Sequence, residues 1–259
     1  MSSPGRGYHA FPSLPPASLF NFSPSQNPAP VSPPLRERSL AYPFNISPQV
    51  YHDALNVLWP VSIALVYATT VTYLNKVNAR REYKPWSFSR TSAFFLLVVA
   101  HNIILALYSA WTFIGMTTAF RKSWPGLKEA GTAGIADSLC KIHGPRGLGS
   151  AATYIGKNGS WSIADLTMRL AGGLPDTTDV GRIWNEGLAY YGWIFYLSKF
   201  YEVVDTAIIL AKGKKSSLLQ TYHHTGAMFA MWAGIRYMSP PIWLFTCINS
   251  FIHTWMVRI

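Results

Sequence analysis

Cysteine and charged residues are both scarce in this chain of 259 residues. Only Cys140 and Cys247 are present, and they lie far apart in sequence. The sequence therefore predicts neither a disulfide scaffold nor a zinc site built from cysteines. Charged residues make up 13% of the chain, whereas hydrophobic residues make up 49%. Because the charged share is about half that of an ordinary soluble domain, this composition indicates a membrane protein.

Acidic residues are the rarer sign of charge, 11 against 22 basic residues, and a net charge of +11 is a feature of many nucleic-acid binders. Here, however, the basic residues lie between apolar stretches and form no continuous basic face. Anionic lipid headgroups, or a substrate that carries phosphates, suit this distribution better. We therefore predict membrane lipids, and no nucleic acid, as partners.

Phosphate-loop motifs and a signal peptide are absent as well. The glycine-rich segments 131–134 and 144–149 lack the strand, lysine and helix that a phosphate loop needs, so we interpret them as flexible. Residues 1–50 hold eleven of the eighteen prolines and no apolar run long enough for a signal-peptide core. These features predict a disordered tail rich in proline and serine over 1–50, and a membrane domain over 51–259.

Five apolar segments are long enough, as helices, to cross a bilayer, which takes about 20 residues at a rise of about 1.5 Å each. They span residues 54–75, 91–120, 187–211, 216–235 and 241–257. Between the second and the third, residues 121–186 are polar and rich in glycine, which is typical of a long loop with at most peripheral helices. The predicted fold class is therefore all-α, a polytopic membrane helix bundle.

The short loops predict the orientation of these spans. Five spans put the basic segments 76–90 and 212–215 on one side of the membrane, and the positive-inside rule assigns that side to the cytosol. The N-terminal tail and the long loop are then lumenal. The Asn-x-Ser/Thr sequons at Asn21, Asn45 and Asn158 all fall on the predicted lumenal side, which agrees with this orientation.

Charged side chains inside a span are costly and usually mark function. Lys199, Glu202 and Asp205 recur every three residues, so on a helix they occupy one face within an arc of about 120°. They can neutralise one another as a cluster. A structural ion pair that ties two helices together would give the same pattern, so the neighbouring spans decide between the two interpretations.

Histidines and amides occupy those neighbouring spans. Gln220 precedes His223 and His224 by three and four residues, so it shares a helix face with both. Asn249 and His253 lie one turn apart on the last span. Three histidines, an amide and a charged triad on consecutive spans favour a functional site over isolated core residues.

A metal centre is one reading of these histidines. Integral-membrane di-iron enzymes use more histidine ligands than this chain supplies, since three of its seven histidines lie outside the spans. A mononuclear zinc site from His223, His224 and His253 remains open, although adjacent histidines point about 100° apart on a helix and rarely share one ion. We predict metal-free histidine chemistry with no bound cofactor. His101, alone on the second span, is interpreted as a hydrogen-bonded core residue.

The three blocks form an ordered series along the chain. They are Lys199-x-x-Glu202-x-x-Asp205-Thr206, Gln220-x-x-His223-His224 and Asn249-x-x-x-His253-x-x-Met256. Their order and spacing resemble the signature of the ELO family of fatty acid elongases, over residues 187–256. The resemblance implies an enzyme of the endoplasmic-reticulum membrane that condenses an acyl-CoA with malonyl-CoA to a 3-ketoacyl-CoA, CoA and CO2. It also implies a fold of seven spans, of which five are visible here.

Two departures from the family pattern matter. The family usually has histidine at the position of Gln220, and a glutamine there is similar to some elongases that act on polyunsaturated acyl chains. The family's last block runs on through a Met-Tyr-x-Tyr-Tyr pattern into two more helices, whereas only three residues follow Met256 here. We therefore expect a truncated sequence, from an incomplete gene model or a retained intron, and a membrane domain incomplete at its C-terminus.

The resemblance also implies roles for the histidine blocks. His223 would attack the acyl-CoA thioester and carry the acyl group as an acyl-imidazole. His224 and His253 would be its acid-base and oxyanion partners. Asn249 would hold a histidine tautomer through its amide.

The charged blocks are expected to support this chemistry. Lys199, Glu202 and Asp205 would orient the histidines or the thioester. The lysines of the predicted cytosolic loop would meet the phosphates of CoA, although ordinary positive-inside flanking explains them equally well. These lysines are Lys212, Lys214 and Lys215.

Further partners and alternatives follow from the same resemblance. It implies that acyl-CoA and malonyl-CoA are the substrates. It also implies that reductases and a dehydratase of the elongation cycle are partners. A homo-oligomer remains possible. The main alternative is a non-catalytic elongase-like membrane paralogue or a transporter. A metal-dependent lipid hydroxylase or desaturase is the third reading. The intact blocks favour catalysis, because a relative that only binds has no chemical need for them.

Overall fold

The computed structural model describes residues 28–165 and 170–255. This part of the chain is mostly helical, in agreement with the all-α prediction, with one small hairpin in addition. The hairpin pairs β1 (Ala152–Ile155) with β2 (Ser160–Ile163) in antiparallel fashion. The helices, in chain order, are α1 (Pro48–Ala54), α2 (Leu58–Arg80), α3 (Ser92–Ser123), α4 (Leu127–Cys140), α5 (Ala189–Tyr201), α6 (Val203–Ala211), α7 (Leu218–Arg236) and α8 (Ile242–Trp255).

Helix α3 is the clearest membrane span. Thr91 caps it by accepting a hydrogen bond from the amide of Phe94, and the helix then runs for 32 residues, with no charged side chain before Arg121. Among the described residues it is the one helix that fits a span by its own length and apolar composition. Helices α1 and α2, which meet at a bend of 42°, would together make a second. The number of spans, five visible of seven, therefore stays a prediction.

The predicted third span, 187–211, is not one continuous helix. Helix α5 ends at Tyr201, Glu202 stands between the two helices, and α6 begins at Val203. The side chain of Glu202 turns back to pair with Lys199, so the interruption lies where a buried charge needs a partner and not at a proline or glycine. The charged series therefore crosses a break of one residue between two helices.

Helix α5 lies at the centre of the core. Five of its aromatic residues are buried, namely Tyr190, Tyr191, Trp193, Phe195 and Tyr196. Close approach of α3 depends on Gly115, because a Cβ there would overlap the ring of Tyr191. This dense packing fixes α5, and with it the position of the charged residues near its C-terminal end.

One buried guanidinium connects several of the described segments between α3 and α5. Arg182 is fully buried, donates hydrogen bonds to carbonyl oxygens in the segment 144–149, and lies 2.9 Å from a carboxylate oxygen of Asp137. The segment 144–149 thus holds the Arg182 guanidinium through its carbonyl groups, whereas its sequence predicts a flexible stretch. The segment 131–134 lies within α4. These acceptors lie more than 30 residues from Arg182 in sequence, so no local sequence pattern predicts the contacts.

The end of the predicted disordered tail is also packed onto the fold. Arg36 donates to the carbonyl of Asn185 at 2.6 Å, and the Tyr42 hydroxyl donates to the carbonyl of Glu186 at 3.0 Å. Because α1 begins at Pro48, residues 28–50 do not follow the prediction of disorder. Residues 1–27, which include the sequon at Asn21, lie outside the described residues.

The two basic loops meet at one end of the helices. Asn78 is fully buried and donates from its side chain to the carbonyl of Leu210 at 2.8 Å, and the amide of Trp86 donates to the carbonyl of Ala211 at 3.1 Å. Gly213 has a φ of +74°, and a Cβ there would lie 2.5 Å from the carbonyl oxygen of Tyr83. The segments 76–90 and 212–215 are therefore neighbours, as the span order predicts. Which side of a membrane they face stays a prediction.

Candidate active site

A cavity of about 640 Å³ opens between α3, α6, α7 and α8. It collects side chains from all three sequence blocks. The predicted site residues that border it are Asp205, Lys212, Lys214, Gln220, His223, His224, Asn249 and His253, and Asn102 of α3 joins them. A somewhat larger cavity of about 700 Å³ lies beside Arg36 and the 177–181 segment, but no predicted site residue borders it. The cavity with the histidines is therefore the candidate active site.

Lys199 and Glu202 lie behind this cavity, in the protein core. Their side chains are 1% and 4% exposed, and Nζ of Lys199 lies 2.5 Å from Oε1 of Glu202. Nζ also donates to Oδ1 of Asn249 at 2.8 Å and lies 3.7 Å from the centre of the Phe195 ring. The buried ammonium thus has a carboxylate, an amide oxygen and an aromatic face as partners.

The side chain of Asn249 has a partner that the sequence does not predict. Its oxygen accepts a hydrogen bond from Lys199, and the role of its amide in holding a histidine tautomer stays a prediction. The physical reason is that an ammonium taken out of water needs several acceptors, and Glu202 alone supplies one. Asn249 still borders the cavity, so it connects the buried ion pair to the site.

Asp205 is separated from that ion pair. Its Oδ1 lies 2.9 Å from Nε2 of His101, and Nδ1 of the same histidine lies 2.9 Å from the hydroxyl of Tyr201. The expected cluster of three mutually neutralising charges is therefore a lysine–glutamate pair and a separate aspartate–histidine pair.

Helix α7 carries the histidine block into the cavity. Ser217 caps the helix by accepting a hydrogen bond from the amide of Gln220. His223 is exposed to the cavity, whereas His224 is 6% exposed. The two rings lie 5.6 Å apart at 68°, so the adjacent histidines diverge as helical geometry requires. Nδ1 of His224 is buried and has no hydrogen-bond partner among residues 28–165 and 170–255.

Gln220 is held by a residue pair that sequence reasoning missed. Its amide nitrogen donates to Oγ1 of Thr206 at 3.2 Å, and the same oxygen lies 2.9 Å from the hydroxyl of Tyr67 on α2. The rings of Tyr67 and His224 lie nearly perpendicular, with 6.0 Å between centroids. Thr206 follows Asp205 directly in the first block, but nothing in an apolar run marks Tyr67 as a neighbour of residues about 140 positions later.

The lysines of the second basic loop divide into two kinds. Lys212 and Lys214 border the cavity, whereas Lys215 is exposed and does not. The first two are therefore placed to meet a ligand in this cavity, whereas a role for Lys215 stays a prediction.

The histidines do not form a recognisable metal centre. No group of three histidine, cysteine, aspartate or glutamate side chains in the described ranges is arranged to hold an ion. The zinc alternative built from His223, His224 and His253 therefore gains no support from the geometry. Metal-free chemistry stays a prediction. Met256, the last residue of the third block, lies outside the described residues.

Comparison with known proteins adds independent findings. The model of the family described as ELO: GNS1/SUR4 family matches residues 54–257, which is most of the chain. Fatty acid elongase A of Dictyostelium discoideum is 34% identical over 70 residues, covering 27% of this chain and 26% of that protein. Fatty acid elongase 2 of Trypanosoma brucei brucei is 31% identical over 78 residues, covering 30% of this chain and 29% of that protein.

A human relative extends the comparison. Very long chain fatty acid elongase 3 of Homo sapiens is 30% identical over 97 residues, covering 37% of this chain and 36% of that protein. The chain thus spans about a quarter of the length of the Dictyostelium relative and about a third of the human one. No solved structure matches the chain.

Proposed function

We propose, because this chain belongs to the ELO family, that it is a fatty acid elongase of the endoplasmic-reticulum membrane. It condenses an acyl-CoA with malonyl-CoA and releases a 3-ketoacyl-CoA, CoA and CO2, which makes it an acyltransferase of the very-long-chain 3-oxoacyl-CoA synthase type. The observation that carries the proposal is the convergence of His223, His224 and His253 on one cavity that Lys212 and Lys214 also border. The names of the relatives support the same reaction class.

His223 is the proposed nucleophile. A nitrogen of its imidazole attacks the carbonyl carbon of the acyl-CoA, the C–S bond breaks, and CoA leaves as its thiol after taking up the proton that the imidazole loses. The acyl group is then held as an acyl-imidazole. His223 suits this role because it is exposed to the cavity, while neighbouring His224 is buried.

The second half of the reaction uses the same cavity. Malonyl-CoA loses CO2, and the electron pair of the broken C–C bond becomes the carbanion of acetyl-CoA. This carbanion attacks the acyl carbonyl, a new C–C bond forms, and the C–N bond to His223 breaks. The released ring nitrogen takes up a proton from the solution, which restores the neutral imidazole. Dividing the condensation into two steps allows both CoA substrates to use one site in turn.

His224 and His253 are the proposed acid-base and oxyanion groups. Each borders the cavity with His223, so each can move a proton or donate a hydrogen bond to the oxygen that becomes negative in the two tetrahedral intermediates. Gln220, bonded to Thr206, presents a neutral amide in place of the usual histidine of the family pattern. The Lys199–Glu202 pair supports the site from behind through Asn249.

Lys212 and Lys214 are proposed to bind the phosphates of CoA at the cytosolic mouth of the cavity. Both are exposed and border it, and an ammonium on a flexible stem suits a phosphate group. The 3-ketoacyl product needs reduction, dehydration and a second reduction before another round. We therefore propose reductases and a dehydratase of the same membrane as functional partners.

The test is an elongation assay in microsomes that contain the chain, with radiolabelled malonyl-CoA and a panel of acyl-CoAs. His223→Ala removes the nucleophile, and Tyr222→Ala is the matched control, since Tyr222 is 74% exposed and does not border the cavity. We expect label in a 3-ketoacyl product for the parent and for Tyr222→Ala, and none for His223→Ala.

A second arm isolates the first step. With labelled acyl-CoA and no malonyl-CoA, the parent is expected to retain acyl label on the protein after denaturation, and His223→Ala is not. If the parent incorporates no label in either arm, the proposal fails in favour of a non-catalytic paralogue or transporter. Stoichiometric iron or zinc in the purified protein would favour the lipid hydroxylase or desaturase reading instead.

A further inference from the structure

His101 on α3 belongs to none of the three blocks, yet it contacts one of their members. Its side chain is 2% exposed, and both ring nitrogens have partners. Nε2 lies 2.9 Å from Oδ1 of Asp205, and Nδ1 lies 2.9 Å from the hydroxyl of Tyr201. The histidine therefore sits between two side chains that come from consecutive helices, α5 and α6.

These partners determine which tautomer a neutral His101 ring adopts. A carboxylate can only accept hydrogen bonds, so Nε2 carries the hydrogen and donates it to Asp205. Nδ1 is then an acceptor, and it receives the hydrogen of the Tyr201 hydroxyl. The result is a directed chain of hydrogen bonds from Tyr201 through His101 to Asp205, which ends at the cavity.

The hydrogen bond from His101 matters for Asp205 because of where this aspartate lies in the fold. It lies in the first turn of a helix of nine residues that begins directly after the interruption at Glu202. Its side chain is 30% exposed and borders the cavity, so the carboxylate remains accessible while one of its oxygens is held. Helix α3, by contrast, is a continuous helix of 32 residues. His101 therefore ties a carboxylate on a short helix to a long one.

We propose that His101 is a positioning residue of the condensation reaction, which acts by holding the Asp205 carboxylate in the orientation that faces the reactive histidines. This inference rests on the proposed function. Loss of the bond frees the carboxylate to take another rotamer, and a misplacement of about 1 Å at a reacting centre costs on the order of 100-fold in rate. The effect falls on kcat, because substrate binding through Lys212 and Lys214 does not use His101.

The test compares three variants in the elongation assay. His101→Leu removes both hydrogen bonds, and we expect kcat to fall about 10- to 100-fold with KM for acyl-CoA nearly unchanged. His101→Gln keeps an N–H donor at a similar reach, and we expect it to restore most of the parent kcat. Tyr201→Phe removes only the outer hydrogen bond, and we expect it to lower the thermal unfolding temperature while kcat stays within about threefold of the parent.

Asp205→Asn completes a double-mutant cycle. If His101 acts through Asp205, then His101→Leu has no further effect on kcat in the Asp205→Asn background. A purely structural role predicts the opposite pattern, in which kcat per folded molecule is unchanged and His101→Gln is no better than His101→Leu. Either of those results overturns the inference while the proposed function stands. A parent that forms no 3-ketoacyl product defeats the proposed function first, and this inference with it.

Discussion

Lys199 and Asn249 lie fifty residues apart in sequence, on α5 and α8, and a hydrogen bond of 2.8 Å joins them in the interior. The same ammonium is paired with Glu202, so one buried cation connects the interruption after α5 to the last described helix. Oε2 of Glu202 has no hydrogen-bond partner in the described part of the chain. The buried Glu202 carboxylate therefore depends on the charge of Lys199 for its stabilisation, because few other donors reach it.

Removal of that counter-ion is the first prediction. Lys199→Met leaves the buried Glu202 carboxylate without its counter-ion, and we expect the free energy of unfolding to fall by about 3–5 kcal/mol. Asn249→Leu removes only an acceptor, and we expect a smaller loss of about 1–3 kcal/mol. Thermal unfolding of the detergent-solubilised protein measures both.

The matched control for this prediction is the double variant Lys199→Met with Glu202→Leu. It removes both charges, so we expect it to be clearly more stable than Lys199→Met alone. If the single and double variants unfold at the same temperature, the pair is not the source of the destabilisation and the prediction is wrong.

Acid sensitivity of the 121–186 region is the second prediction. His143 is fully buried, and burial, with the nearby charge of Arg182, lowers its pKa from 6.5 to about 4. Between those values the unfolded chain binds the proton and the folded chain does not, so stability falls as the pH drops through this window. The full difference of two and a half pKa units corresponds to about 3 kcal/mol.

The measurement is thermal unfolding at pH 7.5 and pH 4.5. The parent is expected to lose about 2–3 kcal/mol more than His143→Phe, which keeps a ring against Trp161 but cannot be protonated. His52→Phe is the control for the loss of an exposed histidine. Parallel pH dependences of the parent and His143→Phe would show that His143 titrates normally.

The sequence predicts the helices better than it predicts their partners. Apolar runs and capping residues such as Thr91 set local helix bounds, and the three- and four-residue spacings correctly bring Gln220, His223 and His224 to one cavity. Lys199 and Glu202 pair as their three-residue spacing predicts, whereas Asp205, beyond the break between α5 and α6, pairs with His101. His101 illustrates the general limit, because its partners lie at least 100 residues away and no local pattern encodes them.

Glycosylation of Asn158 is the third prediction, and it tests the proposed orientation. Asn158 is exposed in the turn between β1 and β2, followed by Gly159 and Ser160. By contrast, the side chain of Asn45 is bound in both directions to the backbone of Arg36. If the loop is lumenal, we expect a glycan on Asn158.

The readout is a shift in gel mobility after glycosidase treatment of the microsomal protein. Asn158→Gln and Ser160→Ala should abolish the shift, whereas Ser160→Thr preserves the sequon and should retain it. If the shift persists in Asn158→Gln, the glycan is attached to another sequon. Absence of any shift in the parent, with the loop open to protease in intact microsomes, would reverse the proposed orientation.

The lysines of the second basic loop give the fourth prediction, which separates ligand binding from simple membrane flanking. Lys212 and Lys214 border the cavity and Lys215 does not, although all three belong to one basic segment. Charges that only flank a span act through their number near the membrane. Simple flanking therefore predicts equal effects on KM for all three lysines. Phosphate binding predicts unequal effects, because only the first two reach the site.

We expect the Lys212→Ala, Lys214→Ala double variant to raise KM for acyl-CoA about tenfold with kcat nearly unchanged, and Lys215→Ala to leave both constants within about twofold of the parent. The effect of the double variant should shrink at high ionic strength, since exposed charges are screened by salt over a Debye length of about 10 Å at 0.1 M. Equal changes in KM for Lys212→Ala and Lys215→Ala would assign the whole segment to membrane orientation. Unequal changes that disappear in salt would place the phosphates of CoA at the mouth of the histidine cavity, and with them the thioester within reach of His223.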